Sequence, residues 1–237
     1  MMSYTYPEMF AQEQSHFWFL GKQAYLRKVL QHIGKKSANI LDMGCGTGGT
    51  TQVISNWGNV IGIEKHHTAA SFARKRNIKV IEASIHRIPK PNESVDIITI
   101  LDVLYHKGVN ENKALQEAYR LLKPNGYVII MDCALPQLWS HHDEIMDAKY
   151  RYTKNKLQEF VHNAGFRTTH LQYIYGSIFP LILLNRLVLK RHKGKESLPI
   201  LSPLLNRTLT LLLSIEAALF PVWKPFLGSS ILLVAQK

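Results

Sequence analysis

An acid two residues ahead of a glycine-rich turn, in Ile40-Leu41-Asp42-Met43-Gly44-Cys45-Gly46-Thr47-Gly48-Gly49, is the strongest chemical signal in this 237-residue chain. An apolar strand runs into the acid and the turn, and a helical pattern follows. Without a Cβ, glycine lets the backbone come into contact with a ligand. A helix start after it would offer free N–H groups and a positive dipole end. Such a turn at the end of a first parallel strand is a nucleotide-type cofactor site. Gly44, Gly46 and Gly49 also satisfy the dinucleotide fingerprint G-x-G-x-x-G, which is weak on its own. Asp42 argues against that reading: a carboxylate there would repel a pyrophosphate and suits a ligand carrying an ammonium or sulfonium charge. About twenty residues past the glycines, where an acid is expected to meet ribose hydroxyls, Asn59-Val60-Ile61-Gly62-Ile63 ends in Glu64. Farther on, Asp102-Val103-Leu104-Tyr105-His106 follows an apolar strand and brings a histidine whose ordinary pKa suits proton removal near neutrality.

The arrangement apolar-Leu-Asp-x-Gly-x-Gly-x-Gly resembles motif I of the class I S-adenosylmethionine-dependent methyltransferases. The resemblance implies S-adenosylmethionine as cofactor. It implies contacts to it from Asp42, Gly44, Cys45, Gly46 and Gly48, from Glu64 and Lys65, from Ser84 and Ile85, and from Leu101 at the end of the fourth strand. Ser84 stands where the family usually presents an Asp to the adenine amino group. A hydroxyl there is neutral and weaker, and the backbone at Ile85 is the alternative contact. Lys123-Pro124-Asn125-Gly126 resembles the family's Leu-Lys-Pro-Gly-Gly turn, with Asn125 for the first glycine, a mild change because Asn tolerates the left-handed region. His106 is the candidate catalytic base, with a loop-positioning histidine as the competing reading.

The elements that must carry these residues are legible as alternation. Strand patterns at 59–63, 78–82, 94–101 and 127–131 alternate with helical ones, notably 112–122 with Ala114, Leu115, Ala118, Leu121 and Leu122 at helical spacing. The expectation is an α/β, Rossmann-like seven-stranded sheet, mostly parallel with an antiparallel last strand and helices on both faces. Thr169 to Tyr175 reads as the sixth strand and Ser230 to Ala235 as the seventh. One domain over 1–237 is expected: an N-terminal helical lid at 1–37, a cofactor-binding core at 38–175, a helical insert at 176–228 and the last strand at 229–237. In the lid, Tyr25, Leu26, Val29, Leu30 and Ile33 repeat at helical spacing, and His16-Phe17-Trp18-Phe19 either covers a ligand pocket or packs in the core. Trp18, Tyr105, Trp139 and His142 are candidate acceptor contacts. His141, His142 and Asp143 could be read as metal ligands, but adjacent histidines point apart, and no metal is expected.

The chain is 46% hydrophobic and carries a net charge of +12. From Lys149 onward the acids are Glu159, Glu196 and Glu216, against 13 Lys and Arg. The imbalance points to an anionic partner or a merely basic face. In the insert, two apolar runs at 178–184 and 209–220 flank Lys190-Arg191-His192-Lys193-Gly194-Lys195. Neither run reaches the ~20 uninterrupted apolar residues of a transmembrane helix, which leaves an interfacial membrane element or a cap or dimer face. Cys45 and Cys133 do not form a disulfide framework, and Met1 to Phe10 lacks a signal-peptide pattern, so a cytoplasmic protein is expected, with peripheral contact at the inner membrane face as one reading of the insert. The sequence as read predicts a methyltransferase acting on a small or lipid-linked acceptor. The alternatives are an RNA methyltransferase and a non-catalytic cofactor-binding partner subunit. Nucleic acid is disfavoured because Leu101-Asp102-Val103-Leu104-Tyr105-His106 lacks the Pro-Pro-aromatic run of base amino-methylating enzymes.

Overall fold

The computed structural model describes residues 6–188 and 201–237. The basic run 190–195 lies outside the described residues. Seven strands, β1 (Ala38–Met43), β2 (Gly58–Ile63), β3 (Lys79–Ile81), β4 (Val95–Leu101), β5 (Leu122–Cys133), β6 (Arg167–Ile174) and β7 (Ser230–Gln236), form one sheet. Their order is β3-β2-β1-β4-β5-β7-β6. The first five pair in parallel, while β7 runs antiparallel between β5 and β6. This is the expected sheet, antiparallel last strand included.

The reason lies in the two-sided hydrophobicity of the central strands. Leu41, Ile98, Ile130 and Leu233 face one core, while Ile40, Ile97, Ile129 and Leu232 face the other. A strand apolar on both faces must be covered on both faces. On the first side α5 (Glu111–Leu121) and α7 (Lys154–Asn163) contribute Leu115, Ala118, Leu157 and Val161. On the second, α2 (Phe17–Ile33) and α9 (Pro203–Ala218) contribute Tyr25, Leu26, Leu209 and Leu213. Helix ends follow local chemistry. The Thr153 hydroxyl accepts from the Lys156 N–H at the start of α7, and Gly165 takes φ +97° just past its end. Leu122, expected to close the helix, instead opens β5, and Asn125 adopts φ +61° in the turn into its central part.

The N-terminal helix is longer than its apolar repeat suggested. His16 caps α2 by accepting from the Trp18 N–H, so the aromatic cluster forms its first turn. A short helix, α1 (Tyr6–Gln12), precedes it. In chain order the remaining helices are α3 (Gly49–Ile54), α4 (His67–Lys75), α6 (His141–Ile145) and α8 (Phe179–Val188). The insert between β6 and β7 is divided. One face of α9 packs on α2, while Leu204, Leu211, Ile215 and Leu219 of the other face are exposed. No helix among the described residues is long and apolar enough to cross a membrane.

Candidate functional site

A cavity of about 1260 Å³ opens at the carboxyl ends of β1, β2 and β4, the place where open α/β sheets bind ligands. Its volume exceeds the ~300–1,000 Å³ of a pocket for one drug-sized ligand. Asp42, Gly44, Cys45, Gly46, Glu64, Lys65, Ser84, Ile85, Leu101, Tyr105, His106, Trp18 and His142 all line it. Gly48 and Trp139 stand outside this wall. Gly48, at φ +85°, packs against Ala73 of α4, and Trp139 packs on the core of the first sheet face.

The glycine turn is built for close approach. Gly44 adopts φ +84°, and a Cβ on it would lie 2.5 Å from Val103 Cγ2. Gly46 adopts φ +55°, with Met9 of α1 3.3 Å from where its Cβ would be. The glycine amides of the turn are nevertheless spent within the chain. Gly44 N and Cys45 N donate to Ile63 O, Gly46 N to Glu64 Oε2 and Gly48 N to Cys45 O. The start of α3, expected from the sequence to receive the ligand, is filled by a carboxylate of the chain itself. Glu13 Oε2 accepts from Gly49 N at 3.0 Å and from Thr47 Oγ1 at 2.6 Å, with Arg76 Nη2 at 3.2 Å. Burial pushes the Glu13 pKa up, against the pull of Thr47 and Arg76. A pyrophosphate would meet Glu13 where a dinucleotide site offers N–H groups. The turn therefore fits a ligand held by shape and by negative charge. The adenosyl sulfonium cofactor implied by the sequence meets that requirement.

That negative charge comes from two buried acids. Asp42 accepts from Thr51 Oγ1 and Thr99 Oγ1, each at 2.6 Å. Burial raises its pKa, opposed by the two hydroxyls and by the charge of Lys22. Glu64 accepts from Gly46 N at 3.1 Å and His66 N at 2.9 Å, which aims its carboxylate across the mouth of the turn. Each oxygen retains a lone pair for a ribose hydroxyl. On the wall lined by Ser84 and Ile85, the Ser84 hydroxyl lies 3.2 Å from His86 Nδ1, and His86 Nε2 accepts from Asn110 N. His86 thus orients Ser84. Burial, with the charges of Lys113, Lys65 and Lys149, keeps its pKa below the usual histidine value.

Toward the far end, His106 Nδ1 lies 2.9 Å from Met146 O. A carbonyl only accepts, so Nδ1 carries the proton and the neutral ring keeps its lone pair on Nε2. Burial holds the His106 pKa down, which keeps it neutral near pH 7. The ring sits 4.1 Å, centroid to centroid, from Tyr105. Lys22 of α2 forms an ion pair with Asp102, which holds φ +55° beside it. Sequence reasoning missed Glu13, Lys22 and His86. Lys22 left one trace, a lysine between Phe19 and Tyr25 on the buried side of α2. Asp143 binds Arg151 and Arg186, and His141 binds Glu144, so this trio does not converge as metal ligands. Among the described residues Asp102, Asp132 and Cys133 have ligand spacing, but the Lys22 ammonium already occupies Asp102.

Residues 34–169 match the family model described as a methyltransferase domain. The chain is 26% identical over 136 residues to a ubiquinone/menaquinone biosynthesis C-methyltransferase of Vibrio parahaemolyticus, covering 52% of each. A Pseudoalteromonas translucida protein of the same description is 29% identical over 138 residues. The chain spans about half the length of these curated relatives. Among solved structures, a SAM-dependent methyltransferase of Thermotoga maritima superposes with a TM-score of 0.60 at 20% identity, covering 99% of both chains. One from Archaeoglobus fulgidus gives 0.62 at 15% identity, covering 97% of this chain and 99% of that one. These likenesses carry the fold.

Proposed function

The chain belongs to the class I S-adenosylmethionine-dependent methyltransferases, and from that premise we propose that it moves a methyl group from S-adenosylmethionine to an oxygen, nitrogen or carbon of a small or lipid-linked acceptor. The observation that carries this reading is one cavity joining two buried acids, a turn whose glycine amides are spent, and a neutral histidine. When bound, S-adenosylmethionine supplies a methyl already activated on a sulfonium. Glu64 holds the ribose, Ser84 and Ile85 the adenine, and Asp42 sets the field that favours a cation. Gly44, Cys45 and Gly46 let the ligand lie against the backbone, with Lys65 and Leu101 beside it. The protein's remaining task is alignment and exclusion of water. Trp18, Phe19 and Tyr105 supply apolar wall for this. The described part of the N-terminal segment, residues 6–37, acts as a lid, supported by Met9 against Gly46, Glu13 in the turn and Tyr6 beside His66. Where the acceptor must lose a proton, His106 Nε2 receives it.

Carbon is favoured as the acceptor atom by the names of the curated relatives and by the aromatic lining of the cavity. Contact with a membrane surface is supported by the exposed face of α9 and by Val222 and Phe226, about nine-tenths exposed, just beyond it. The deciding experiment incubates the protein with S-adenosylmethionine and separate lipid, small-metabolite and RNA fractions, and reads by mass spectrometry a product heavier by one CH₂. We expect that product in the lipid or metabolite fraction. A product only in RNA would overturn the acceptor class. Tight S-adenosylhomocysteine binding with no product in any fraction would make the chain a cofactor-binding partner subunit.

A further inference from the structure

We propose that the acceptor carries an oxyanion, a carboxylate or a phosphate monoester, next to an apolar body, and that Arg186 of the insert binds it. This deepens the methyltransferase reading and rests on it. At the end of the cavity away from Glu64, two guanidinium groups share one carboxylate. Arg151 Nη1 reaches Asp143 Oδ1 at 3.1 Å, and Arg186 Nη1 reaches Asp143 Oδ2 at 2.8 Å. Asp143 Oδ2 also accepts from Ser140 N, so the acid is fully engaged. All three charged residues line the cavity, and the Asp143 and Arg151 side chains are 2% exposed. Among the described residues these three paired side chains sum to one positive charge in a partly desolvated place. Such a charge is costly unless a counter-ion arrives.

The donors are distributed to match. Arg151 spends Nε on Ala134 O and Nη2 on Ser229 O. Arg186 spends Nη1 alone, on Leu138 O, Ser140 Oγ and Asp143. Its Nε and Nη2 edge has no acceptor among the described residues, and its side chain is 19% exposed. That edge is a planar fork matched to two oxygens of a carboxylate or phosphate. Burial and the charge of Arg151 press the Arg186 pKa down, as expected of a cation short of counter-charge. Ile182, one turn earlier on α8, lines the same cavity and offers the apolar contact. The cavity is thus electrically two-ended. Asp42 and Glu64, held by hydroxyls and amides, face the sulfonium end, and the arginine pair faces the acceptor end.

The test is calorimetric titration of the full chain with phenyl phosphate, benzoate and benzyl alcohol, with and without saturating S-adenosylhomocysteine. At least one of the two anions should bind tenfold or more tightly than the alcohol, and which one does distinguishes phosphate from carboxylate. Arg186→Met, which keeps much of the apolar stem, should erase that preference and leave S-adenosylhomocysteine affinity within twofold. Arg186→Lys should retain only part of it. Equal binding of alcohol and anions by the unsubstituted protein would overturn the proposal whatever the variants do, as would an unchanged preference in a folded Arg186→Met protein. Absent S-adenosylhomocysteine binding would instead sink the methyltransferase reading.

Discussion

Glu64 and His106 show how a single residue's partners limit what it can do. Glu64 already accepts two backbone amides, so its carboxylate is oriented before any ligand arrives. Glu64→Ala should weaken S-adenosylhomocysteine binding by ~1.5–3 kcal/mol, the worth of hydrogen bonds to a charged group. Calorimetry showing equal affinity would remove Glu64 from the site. Gly46→Val should abolish binding, because a branched side chain would stand at φ +55° between Met9 and the ligand's place. The lowered pKa of His106 carries a sign. Burial disfavours the imidazolium, so the neutral base persists as the pH falls past the ordinary value of 6.5. If His106 is the base, the acid limb of kcat/KM should fall below pH 6.5, and His106→Ala should lower turnover about 10²-fold. An acid limb above 6.5, or near-normal turnover in the variant with an identified acceptor, would return His106 to a loop-positioning role.

At the scale of elements, the contact between α2 and α9 decides how the insert is anchored. Glu216, an isolated acid in an apolar run of the sequence, is 2% exposed. It accepts from Tyr25 Oη at 2.6 Å, Gly176 N at 2.9 Å and Ser177 N at 2.8 Å. One carboxylate thereby ties α9 to α2 and to the turn leading into α8. Glu216→Ala would leave those donors buried without a partner, and stranding a buried group costs about 1–3 kcal/mol. We expect a lower denaturant midpoint with an unchanged slope. An unaltered midpoint would show that packing of Leu209 and Leu213 alone holds α9. The cofactor end is braced in the same way, since Glu13 links the segment between α1 and α2 to the start of α3 and to Arg76 beyond α4.

On the whole molecule, one face of α9 is covered and the other is not. Leu204, Leu211, Ile215 and Leu219 continue into Val222 and Phe226 as an exposed apolar stripe. Isolated exposed leucines need no explanation, but a contiguous stripe marks an interaction surface. With net charge +12, contact with acidic lipid predicts co-flotation with anionic vesicles at low salt. That binding should weaken as salt rises, because exposed charges are screened over ~10 Å at 0.1 M. Protein remaining in the soluble fraction at low salt would make the stripe an interface between protein chains.

The succession of strands and helices along the chain, the glycine turn and the tip acid Glu64 were legible because each is a local pattern. Two-sided apolar runs specify a covered parallel sheet, and a ligand-approaching turn needs glycine at given positions. Family membership was legible for the same reason, as motif I lies within ten consecutive residues. What the sequence could not determine depends on which side chains the fold brings together. The closure of the α3 amides by Glu13, the Lys22–Asp102 pair, the shared hold of Arg151 and Arg186 on Asp143, and the Glu216 tie join positions 36 to 80, 8 to 43 and 39 to 191 residues apart. A buried charge or donor must find its partner wherever the fold brings one within reach. No spacing rule along the chain encodes that meeting, so the polarity of the cavity is decided only once the sheet and its covering helices have assembled.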